Sequence, residues 1–418
     1  MVYKNDKFFW GASTAAHQVE GGLQNQWSVW ELANASHQAK TAKQRLGWLK
    51  NWNEIKHLAE DPNNYVSGRG VDHYNRYKED FDIIQKLGLN SFRFTIEWSR
   101  LEPEEGIWNK EEFEHYRQYI AELNKRGIEP FLNVWHWTVP VWFEEKGGFA
   151  KRTNITYFEK LVKKLSEELL GNVNYVITIN EPNVYASFSY GSGEWPPQEK
   201  NWLKALWVYN NLKIAHKRAY KIIKKTHPKI NVGIAQQLAD IQPFRPGNWL
   251  DEACVKIMRY AWNWWFLNRI KNQQDFVGVN YYFTDYYKGW NRQNPQTPVN
   301  DLGWYMNAAG ILPLLQRIAY HNPGKPIIIT ENGVADMNDK YRKGWLAETM
   351  EAIETAKSLG VPVIGYLHWS LLDNFEWAYG WWPNFGLVEI DRKTMKRTIR
   401  PSAIWWSKYI SSKYLYKK

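Results

Sequence analysis

Two glutamates that follow β-rich stretches are the strongest candidates for chemistry in this sequence. Glu181, with Asn180 before it, follows VNYVITI, and Glu331 follows PIIIT. A buried carboxylate without a partner is costly, so the end of an apolar strand is a poor place for one in a core. It is a suitable place in a barrel whose chemistry lies at the carboxyl ends of its strands. Two such carboxylates facing one another can do acid/base or nucleophilic work on a glycosidic bond.

Polar and aromatic side chains recur at the ends of the other predicted strands. Taken alone, a residue such as Glu97 or His368 is more often a structural polar group than a site residue. Recurrence in phase with the strands is what a lined pocket requires. The candidates are Gln18, Arg93, His136, Trp137, Asn180, Asn280, Tyr282, Trp369, Glu376 and Trp377.

Eight apolar runs are predicted to be the strands that position these residues. Helical patterns lie between many of them, and this alternation favours a single (β/α)8 TIM barrel over a doubly wound sheet. The predicted strands are 8–12, 91–97, 130–135, 174–179, 231–236, 275–280, 326–330 and 362–368.

Three of the intervening helices have clear boundaries. Helices are predicted over 75–87, from Asn109 to Gly127, and over 156–170, each with apolar residues on one face and a glycine at its end. Glu112 stands at the third helical position after Asn109, which predicts a capping box.

No Pro-, Gly- or Ser-rich linker divides the sequence, which predicts one domain over 1–418. Residues 36–70 are unusual because they are polar and rich in Lys and Asn. We expect a long excursion there after the first strand, partly helical around 45–60. Loops of this length in a compact domain are usually functional or mobile.

Composition is typical of a globular protein, with 44% hydrophobic and 23% charged residues. The 26 Trp and 25 Tyr suit a carbohydrate site, although most are expected in the core. The net charge of +11 comes from scattered Lys and Arg with no nucleic-acid-binding pattern, so we interpret it as a solvated surface.

The sequence lacks the patterns that are typical of disulfide-rich, metal-binding, nucleotide-binding, secreted and membrane-spanning proteins. The lone Cys254 cannot form an internal disulfide. No metal or nucleotide motif stands in the right context, so no cofactor and no metal site are expected. The start has no signal-peptide core, and no apolar stretch approaches the roughly 18 residues of a membrane span. A cytoplasmic location without a membrane span is therefore expected.

The sequence resembles glycoside hydrolase family 1, the β-glucosidase/β-galactosidase family, over almost its whole length. TINEP and ITENG at their separation are the most specific motifs. The matching stretches are FWGASTAAHQVEGG (9–22), FRFTIEWSR (92–100), NVWHW (133–137), TINEP (178–182), DFVGVNYY (275–282), IITENG (328–333), HWSLLDNFEW (368–377) and FGLVEID (385–391).

This resemblance implies a retaining mechanism, with Glu181 as general acid/base and Glu331 as nucleophile. Arg93 and the Tyr282 hydroxyl would lie beside Glu331 and favour its charged form. A retaining site needs its carboxylates about 5–5.5 Å apart, so one of the two pKa values is expected to rise.

The resemblance also implies the residues that bind the sugar. Asn180 would donate to the 2-hydroxyl, Trp369 would form a stacking floor and Phe385 a further wall. The other substrate-binding residues implied are Gln18, His136, Trp137, Asn280, Glu376 and Trp377.

The expected substrates are small β-D-glucosides, together with β-D-galactosides or fucosides, or related oligosaccharides. Alternatives are a sugar-binding protein of the same fold, a transglycosylase and a 6-phosphoglycosidase. Glu376 argues against the last, because a carboxylate repels a phosphate dianion. The natural aglycone and the oligomeric state stay open.

One departure from the family pattern concerns the segment before the sixth strand. Only Arg269–Gln274 separate NWWFLN from DFVGVNYY, where relatives carry a longer helical segment. We expect a more open and mobile barrel between the fifth and sixth strands. Such an opening could weaken hydrolysis, widen aglycone tolerance or uncover a cavity for another ligand.

Overall fold

The computed structural model describes residues 8–415, and within them eight parallel strands close into a barrel. Around the barrel the order is β1-β11-β10-β7-β5-β4-β3-β2. The strands of the described residues are β1 (Phe9–Ser13), β2 (Ser91–Thr95), β3 (Glu129–Asn133), β4 (Tyr175–Asn180), β5 (Asn231–Gln237), β6 (Asp240–Pro243), β7 (Val277–Tyr281), β8 (Thr284–Lys288), β9 (Asn291–Arg292), β10 (Ile327–Asn332), β11 (Val363–Trp369), β12 (Val388–Asp391) and β13 (Lys396–Ile399).

Helices connect the barrel strands and surround them. Two π-helical segments, Ser187–Ser192 and Tyr260–Trp264, interrupt the α-helical pattern. The α-helices of residues 8–415 are α1 (Ala16–Val19), α2 (Gln26–Lys40), α3 (Ala42–Leu46), α4 (Trp52–Ala59), α5 (His73–Lys86), α6 (Trp98–Leu101), α7 (Lys110–Lys125), α8 (Val141–Glu145), α9 (Ile155–Glu168), α10 (Pro182–Ala186), α11 (Trp202–Thr226), α12 (Trp249–Arg259), α13 (Trp265–Ile270), α14 (Ile311–His321), α15 (Arg342–Ser358) and α16 (Pro401–Leu415).

The predicted (β/α)8 barrel is confirmed, and each of the eight predicted runs overlaps one barrel strand. The predicted helices over 75–87 and 156–170 correspond to α5 and α9. Asn109 caps α7 through its side-chain oxygen, which accepts from the backbone N–H of Glu112 at 3.3 Å. The Glu112 carboxylate, however, accepts from the Tyr74 hydroxyl at 3.1 Å, a partner outside the predicted capping box.

An apolar layer occupies the interior of the barrel and leaves the carboxyl ends of the strands free for other side chains. Side chains from successive strands interdigitate in this layer, as in other barrels of this kind. Its members are Phe9, Phe131, Ile177, Ala235, Phe276, Ile328 and Leu367.

The polar segment 36–70 is more helical than its composition predicts. It contains the end of α2, all of α3 and α4, and a 3₁₀ turn at Pro62–Tyr65. A few apolar side chains are sufficient to hold it, because Leu46, Leu49 and Ile55 are buried in a cluster with Leu302 and Trp382. The segment therefore packs as a helical cover beside the barrel mouth.

The prediction of an opening in the barrel wall between the fifth and sixth barrel strands, β5 and β7, is wrong. Ala235–Gln237 of β5 pair directly with Gly278–Asn280 of β7, so the wall is closed by hydrogen bonds. The short connection after α13 is a 3₁₀ turn, Lys271–Gln273. It is held by the Lys325 ammonium, which donates to the carbonyl oxygen of Lys271 at 2.6 Å.

Among the helices of residues 8–415, none combines the length and the apolar character that crossing a bilayer requires.

Candidate active site

A cavity of about 990 Å³ lies at the carboxyl ends of the barrel strands. Its wall brings together nine of the thirteen predicted site residues, and the other four lie directly behind them in hydrogen-bond contact. The nine are His136, Trp137, Glu181, Tyr282, Glu331, Trp369, Glu376, Trp377 and Phe385. The four behind the wall are Gln18, Arg93, Asn180 and Asn280.

Glu331 is held by two donors, one on each carboxylate oxygen. The Arg93 guanidinium donates to Oε1, and the Tyr282 hydroxyl donates to Oε2 at 2.6 Å. Arg93 and Glu331 are both buried, so their interaction is little screened by water. Burial, and then the charge of Glu331, raise the pKa of Tyr282 well above its usual value. Tyr282 therefore remains a donor, and both contacts stabilise a charged Glu331.

Glu181 has the opposite environment. Burial, followed by the neighbouring negative charge of Glu331, raises the pKa of Glu181 well above its usual value. The Asn280 side-chain amide, which donates to Oε1 at 2.8 Å, opposes this shift only in part. Two nearby carboxyls thus have different partners, which favour a proton on Glu181 and a charge on Glu331.

The backbone at the cavity adopts unusual conformations. Glu181, the residue after β4, has φ of 41°, and the wall residues Trp137 and Trp377 have φ of 77° and 51°. Positive φ is uncommon outside glycine, and such strain concentrates at functional sites. No sequence pattern indicated these conformations.

A network of amides connects the two glutamates. The Asn180 side-chain oxygen accepts from Arg93 Nη2 at 2.7 Å and from Asn280 Nδ2 at 3.1 Å. Thr330 Oγ1 donates to Asn280 Oδ1 at 2.6 Å and fixes the orientation of that amide. Both polar atoms of Asn280, a predicted sugar contact, therefore have protein partners, and one of these partners is Glu181.

His136 is held as a neutral ring. Its Nε2 lies 3.1 Å from the Asn180 amide nitrogen, which donates because the amide oxygen faces Arg93. Burial, and then the charge of Arg93, lower the pKa of His136 well below its usual value. The ring is nearly parallel to those of Trp369 and Trp377, with centroid distances of 5.8 and 5.9 Å.

Glu376 forms a second polar corner of the cavity, and Gln18 lies directly behind it. The Glu376 Oε2 accepts from Asn374 at 2.9 Å and from Gln18 at 3.4 Å. Burial raises the pKa of Glu376 to about 7. The buried Gln18 Oε1 has no hydrogen-bond partner among residues 8–415. Such acceptors suit a ligand rich in hydroxyl groups.

The remaining predicted residues are aromatic. Trp137 donates through its indole N–H to the carbonyl oxygen of Asn180 at 2.9 Å and contacts Trp377. Phe385 packs edge-on against Tyr282 at 6.2 Å. These rings give the polar groups an apolar frame that keeps their orientations fixed.

Two other polar residues at strand ends have structural partners, as expected. Glu97 accepts from Thr138 Oγ1 at 2.9 Å and from Ser99 Oγ at 2.8 Å. His368 contacts the Tyr366 hydroxyl at 3.1 Å. In the described part of the chain, no group of three or more His, Cys, Asp or Glu residues is placed to hold a metal ion.

The outer cavity contains residues that sequence reasoning missed. Trp202 and Leu206, for example, are four residues apart on α11, which is the spacing of an ordinary core face, so the available signal pointed to packing. The missed residues include Phe188, Trp195, Trp202, Leu206, Met258 and Trp262.

Comparison with known proteins agrees with this geometry. The sequence profile described as Glycosyl hydrolase family 1 matches residues 3–271 and 267–415. A β-glucosidase A of Thermotoga maritima is 30% identical over 457 residues, covering 97% of both chains. The structure of a β-glycosidase from Pyrococcus horikoshii aligns with a TM-score of 0.84 and 32% identity, covering 97% of this chain and 94% of that one.

A relative with a different printed activity also spans this chain. It is a chloroplastic galactolipid galactosyltransferase of Arabidopsis thaliana, 29% identical over 98% of this chain and 73% of its own length. Sequences similar to this chain therefore have both hydrolase and transferase names.

Proposed function

Because the chain belongs to glycosyl hydrolase family 1 and is a glycoside hydrolase, we propose that it is a retaining exo-β-glycosidase. Its substrates would be β-D-glucosides, together with β-D-galactosides or fucosides, and residues 1–418 would act as one unit. The observation that carries this proposal is the unequal environment of the two glutamates. Glu331 is bonded by Arg93 and Tyr282, whereas burial and the charge of Glu331 keep a proton on Glu181.

In the first proposed step the Glu331 carboxylate attacks the anomeric carbon as the bond to the leaving oxygen breaks. Glu181 delivers its proton to that oxygen, so the aglycone leaves as a neutral alcohol. The product is a glycosyl ester on Glu331.

In the second proposed step a water molecule attacks the same carbon and displaces Glu331. The negative charge of Glu331 is one cause of the raised pKa of Glu181. Because Glu331 is an uncharged ester at this stage, that cause is absent and the pKa of Glu181 falls. Glu181 can therefore give up its proton with the aglycone and accept another from the water. Two inversions leave the β configuration unchanged.

We further propose that the sugar is held by the polar corners of the cavity. Gln18 Oε1 and the Glu376 carboxyl would accept from hydroxyls, and Asn180 and His136 would contact the side of the ring near the 2-hydroxyl. Trp369 would support the apolar face of the sugar. Trp137, Trp377 and Phe385 would complete the wall, as their place in the cavity lining suggests.

Release of p-nitrophenol from p-nitrophenyl β-D-glucoside tests the proposal. Turnover should collapse in Glu331→Gln and persist in Glu351→Gln, a matched change at an exposed position of α15. NMR of the first-formed sugar should show the β anomer. Wild-type protein that is folded but inactive would favour the sugar-binding alternative, and an α anomer would exclude the retaining step.

Transglycosylation is the second candidate, supported by the transferase name of the Arabidopsis relative. The same glycosyl ester would then react with an alcohol faster than with water. Added butanol should in that case produce butyl β-D-glucoside in excess over free glucose. A product that stays almost entirely glucose would favour hydrolysis.

A further inference from the structure

Both faces of α12 carry apolar side chains. The buried face packs Cys254 and Val255 onto the rest of the protein. The opposite face carries large apolar side chains at helical spacing, and its first member, Trp249, is 78% exposed. A surface helix normally presents polar side chains on this face. The exposed apolar stripe consists of Trp249, Ala253, Ile257 and the following Tyr260.

The first two turns of α11 also expose apolar side chains, and Leu203 there is 80% exposed. Trp202 and Leu206 of these turns line the cavity, and so does Ala261, which directly follows the stripe of α12. The two exposed surfaces therefore flank one cavity mouth. Exposed apolar surface of this extent marks an interaction site. We call the two surfaces together the apolar rim, which consists of Trp202, Leu203, Leu206 and Trp207 on α11 and the stripe of α12.

Four cations near the apolar rim lack an acidic partner. Other cations on α11 do form ion pairs, which are Lys204 with Glu199, Arg218 with Glu159 and Lys224 with Asp275. On α12 the exposed Glu252 and Lys256 offset one another in charge. Within residues 8–415, no carboxylate lies at ion-pair distance from the remaining four, which we call the basic cluster. Its members are Arg152, Lys213, Lys217 and Arg269.

The basic cluster is compact and adjoins the apolar rim. The Arg152 guanidinium lies 4.3 Å from the ring centroid of Trp207, a member of the rim. Lys213 and Arg269 lie 5.4 and 4.4 Å from the ring centroid of Trp265. Burial, and then the charges of the other three cations, lower the pKa of Lys213. Like charges gathered on one surface attract an anionic partner.

We propose that the apolar rim and the basic cluster dock this protein on the surface of an anionic lipid bilayer, with the cavity mouth facing the lipid. The helix from Leu206 to Lys213 rises by roughly 10 Å. Interfacial apolar faces penetrate about 5–10 Å into the boundary between headgroups and acyl chains. The basic cluster would therefore lie near the phosphate groups while the rim contacts hydrocarbon.

The aromatic content of the apolar rim suits this boundary. Trp and Tyr are enriched at the membrane–water interface, where the ring lies in an apolar layer and its polar atom stays hydrated. The rim contains three Trp and one Tyr. In the part of the chain that the structure describes, the indole N–H groups of Trp202 and Trp249 donate to no protein acceptor, so lipid headgroups could accept from them.

A second copy of the chain fits this surface less well. Two copies that met through their rims in a two-fold contact would bring their unpaired cations close together. A bilayer with anionic lipids instead supplies hydrocarbon for the rim and phosphate for the cluster. The inference goes beyond the proposed glycosidase function and does not depend on it, because docking requires no catalysis.

Flotation of the purified full-length protein with lipid vesicles tests the inference. At physiological ionic strength, vesicles of phosphatidylcholine mixed with phosphatidylglycerol should carry the protein upward, and vesicles of phosphatidylcholine alone should carry much less. One Lys near an anionic surface increases partitioning about fivefold, so Lys213→Gln combined with Lys217→Gln should lower the partition coefficient about 25-fold. Lys78→Gln combined with Lys86→Gln is the matched control, because α5 lies across the barrel between β1 and β2. This control should leave the partition coefficient unchanged.

A second pair of variants tests the apolar rim. Leu203→Gln combined with Trp249→Gln removes two exposed rim side chains outside the cavity lining. It should lower the partition coefficient at least about tenfold. Tyr320→Gln combined with Leu359→Gln is the control, because these exposed side chains lie shortly before β10 and β11, at the other end of the barrel. Thermal unfolding of each variant checks that its fold is kept.

Three results would overturn the proposed docking surface. The first is wild-type protein that does not float with the anionic vesicles, or that floats equally with phosphatidylcholine alone. The second is an equal loss of binding in the control variants. The third is a wild-type dimer in light scattering that Leu203→Gln with Trp249→Gln converts to a monomer, because the rim would then be a contact between copies. Protein that floats as expected but cleaves no glucoside would support the docking surface and remove only the proposed function.

Discussion

Replacing Asn280 by leucine should move the basic limb of the pH–rate profile upward. Leucine has a similar branched shape but cannot donate to Glu181. The Asn280 amide donates to Glu181 Oε1 at 2.8 Å and is the largest influence that lowers the pKa of Glu181. Without it, burial and the charge of Glu331 act with less opposition, so Glu181 keeps its proton to higher pH.

The size of this shift follows from the strength of one hydrogen bond to a charged group. Such a bond is worth about 1.5–3 kcal/mol. One pKa unit corresponds to about 1.36 kcal/mol. The basic limb should therefore rise by about one to two pH units. Asn180, the other acceptor of the Asn280 side-chain N–H groups, keeps its bond from Arg93 at 2.7 Å, so the change stays centred on Glu181.

The assay is kcat/KM for p-nitrophenyl β-D-glucoside across pH, because its basic limb reports the acid of the free enzyme. Thr330→Val, which removes the 2.6 Å bond that orients Asn280, should shift the limb in the same direction by a smaller amount. Thr226→Val, at an exposed position of α11, should shift nothing. A basic limb that stays in place or falls in Asn280→Leu would refute the role given to this amide.

Two further predictions concern stability. The raised pKa of Glu376, about 7, means that folding favours its neutral form. The protein therefore loses stability as pH rises from the ordinary carboxyl pKa through 7. Glutamine cannot ionise, so Glu376→Gln should raise the free energy of unfolding by about 1–3 kcal/mol at pH 8 and change it little at pH 5. Urea titrations at the two pH values measure the difference. Arg400→Met should lower it by about 3–5 kcal/mol, because Arg400 donates to both oxygens of the buried Asp373 at 2.8 Å. The exposed pair of Arg218 with Glu159 is the control, and Arg218→Met should cost less than about 1 kcal/mol. An unchanged pH dependence, or equal losses in the two arginine variants, would contradict these expectations.

The barrel and the positions of the two glutamates could be predicted because both depend on local pattern. Apolar runs bounded by polar residues mark the strands, and a carboxylate at the end of such a run is seldom compatible with simple core packing. The parallel arrangement of the strands then brings Glu181 and Glu331 to one end of the barrel, although they are far apart in sequence.

The partner of Asn280 could not be predicted because it depends on how separate strands meet. Asn280 and Glu331 are register partners on β7 and β10, while Glu181 follows β4. A residue at the end of a barrel strand lies at the mouth of the barrel, but the sequence does not indicate whether its side chain contacts a ligand or another side chain. The same limit applies to positive φ at Glu181 and Trp377, which only the surrounding packing imposes.

The helix α2 escaped prediction for a different reason, whereas α4 lies within the range around 45–60 that was expected to be helical. Composition alone made residues 36–70 resemble a loop, because polar side chains dominate. Ala35 and Ala39, four residues apart on α2, nevertheless supply a buried face. A short helix that packs on an existing surface needs fewer apolar residues than one that forms a core, so average hydrophobicity underestimates it.

The charge balance of the site explains why two identical side chains can take different roles. Arg93 is the cation bonded to Glu331, and the neighbouring imidazole of His136 is kept neutral. A buried site with one cation accommodates one anion far better than two. With Glu331 charged, Glu181 keeps its proton. In the proposed glycosyl ester Glu331 is neutral, and the single anion beside Arg93 can then be Glu181. The reaction would thus move one negative charge between the two carboxyls. The buried Arg93 guanidinium would be next to one carboxylate anion at each stage.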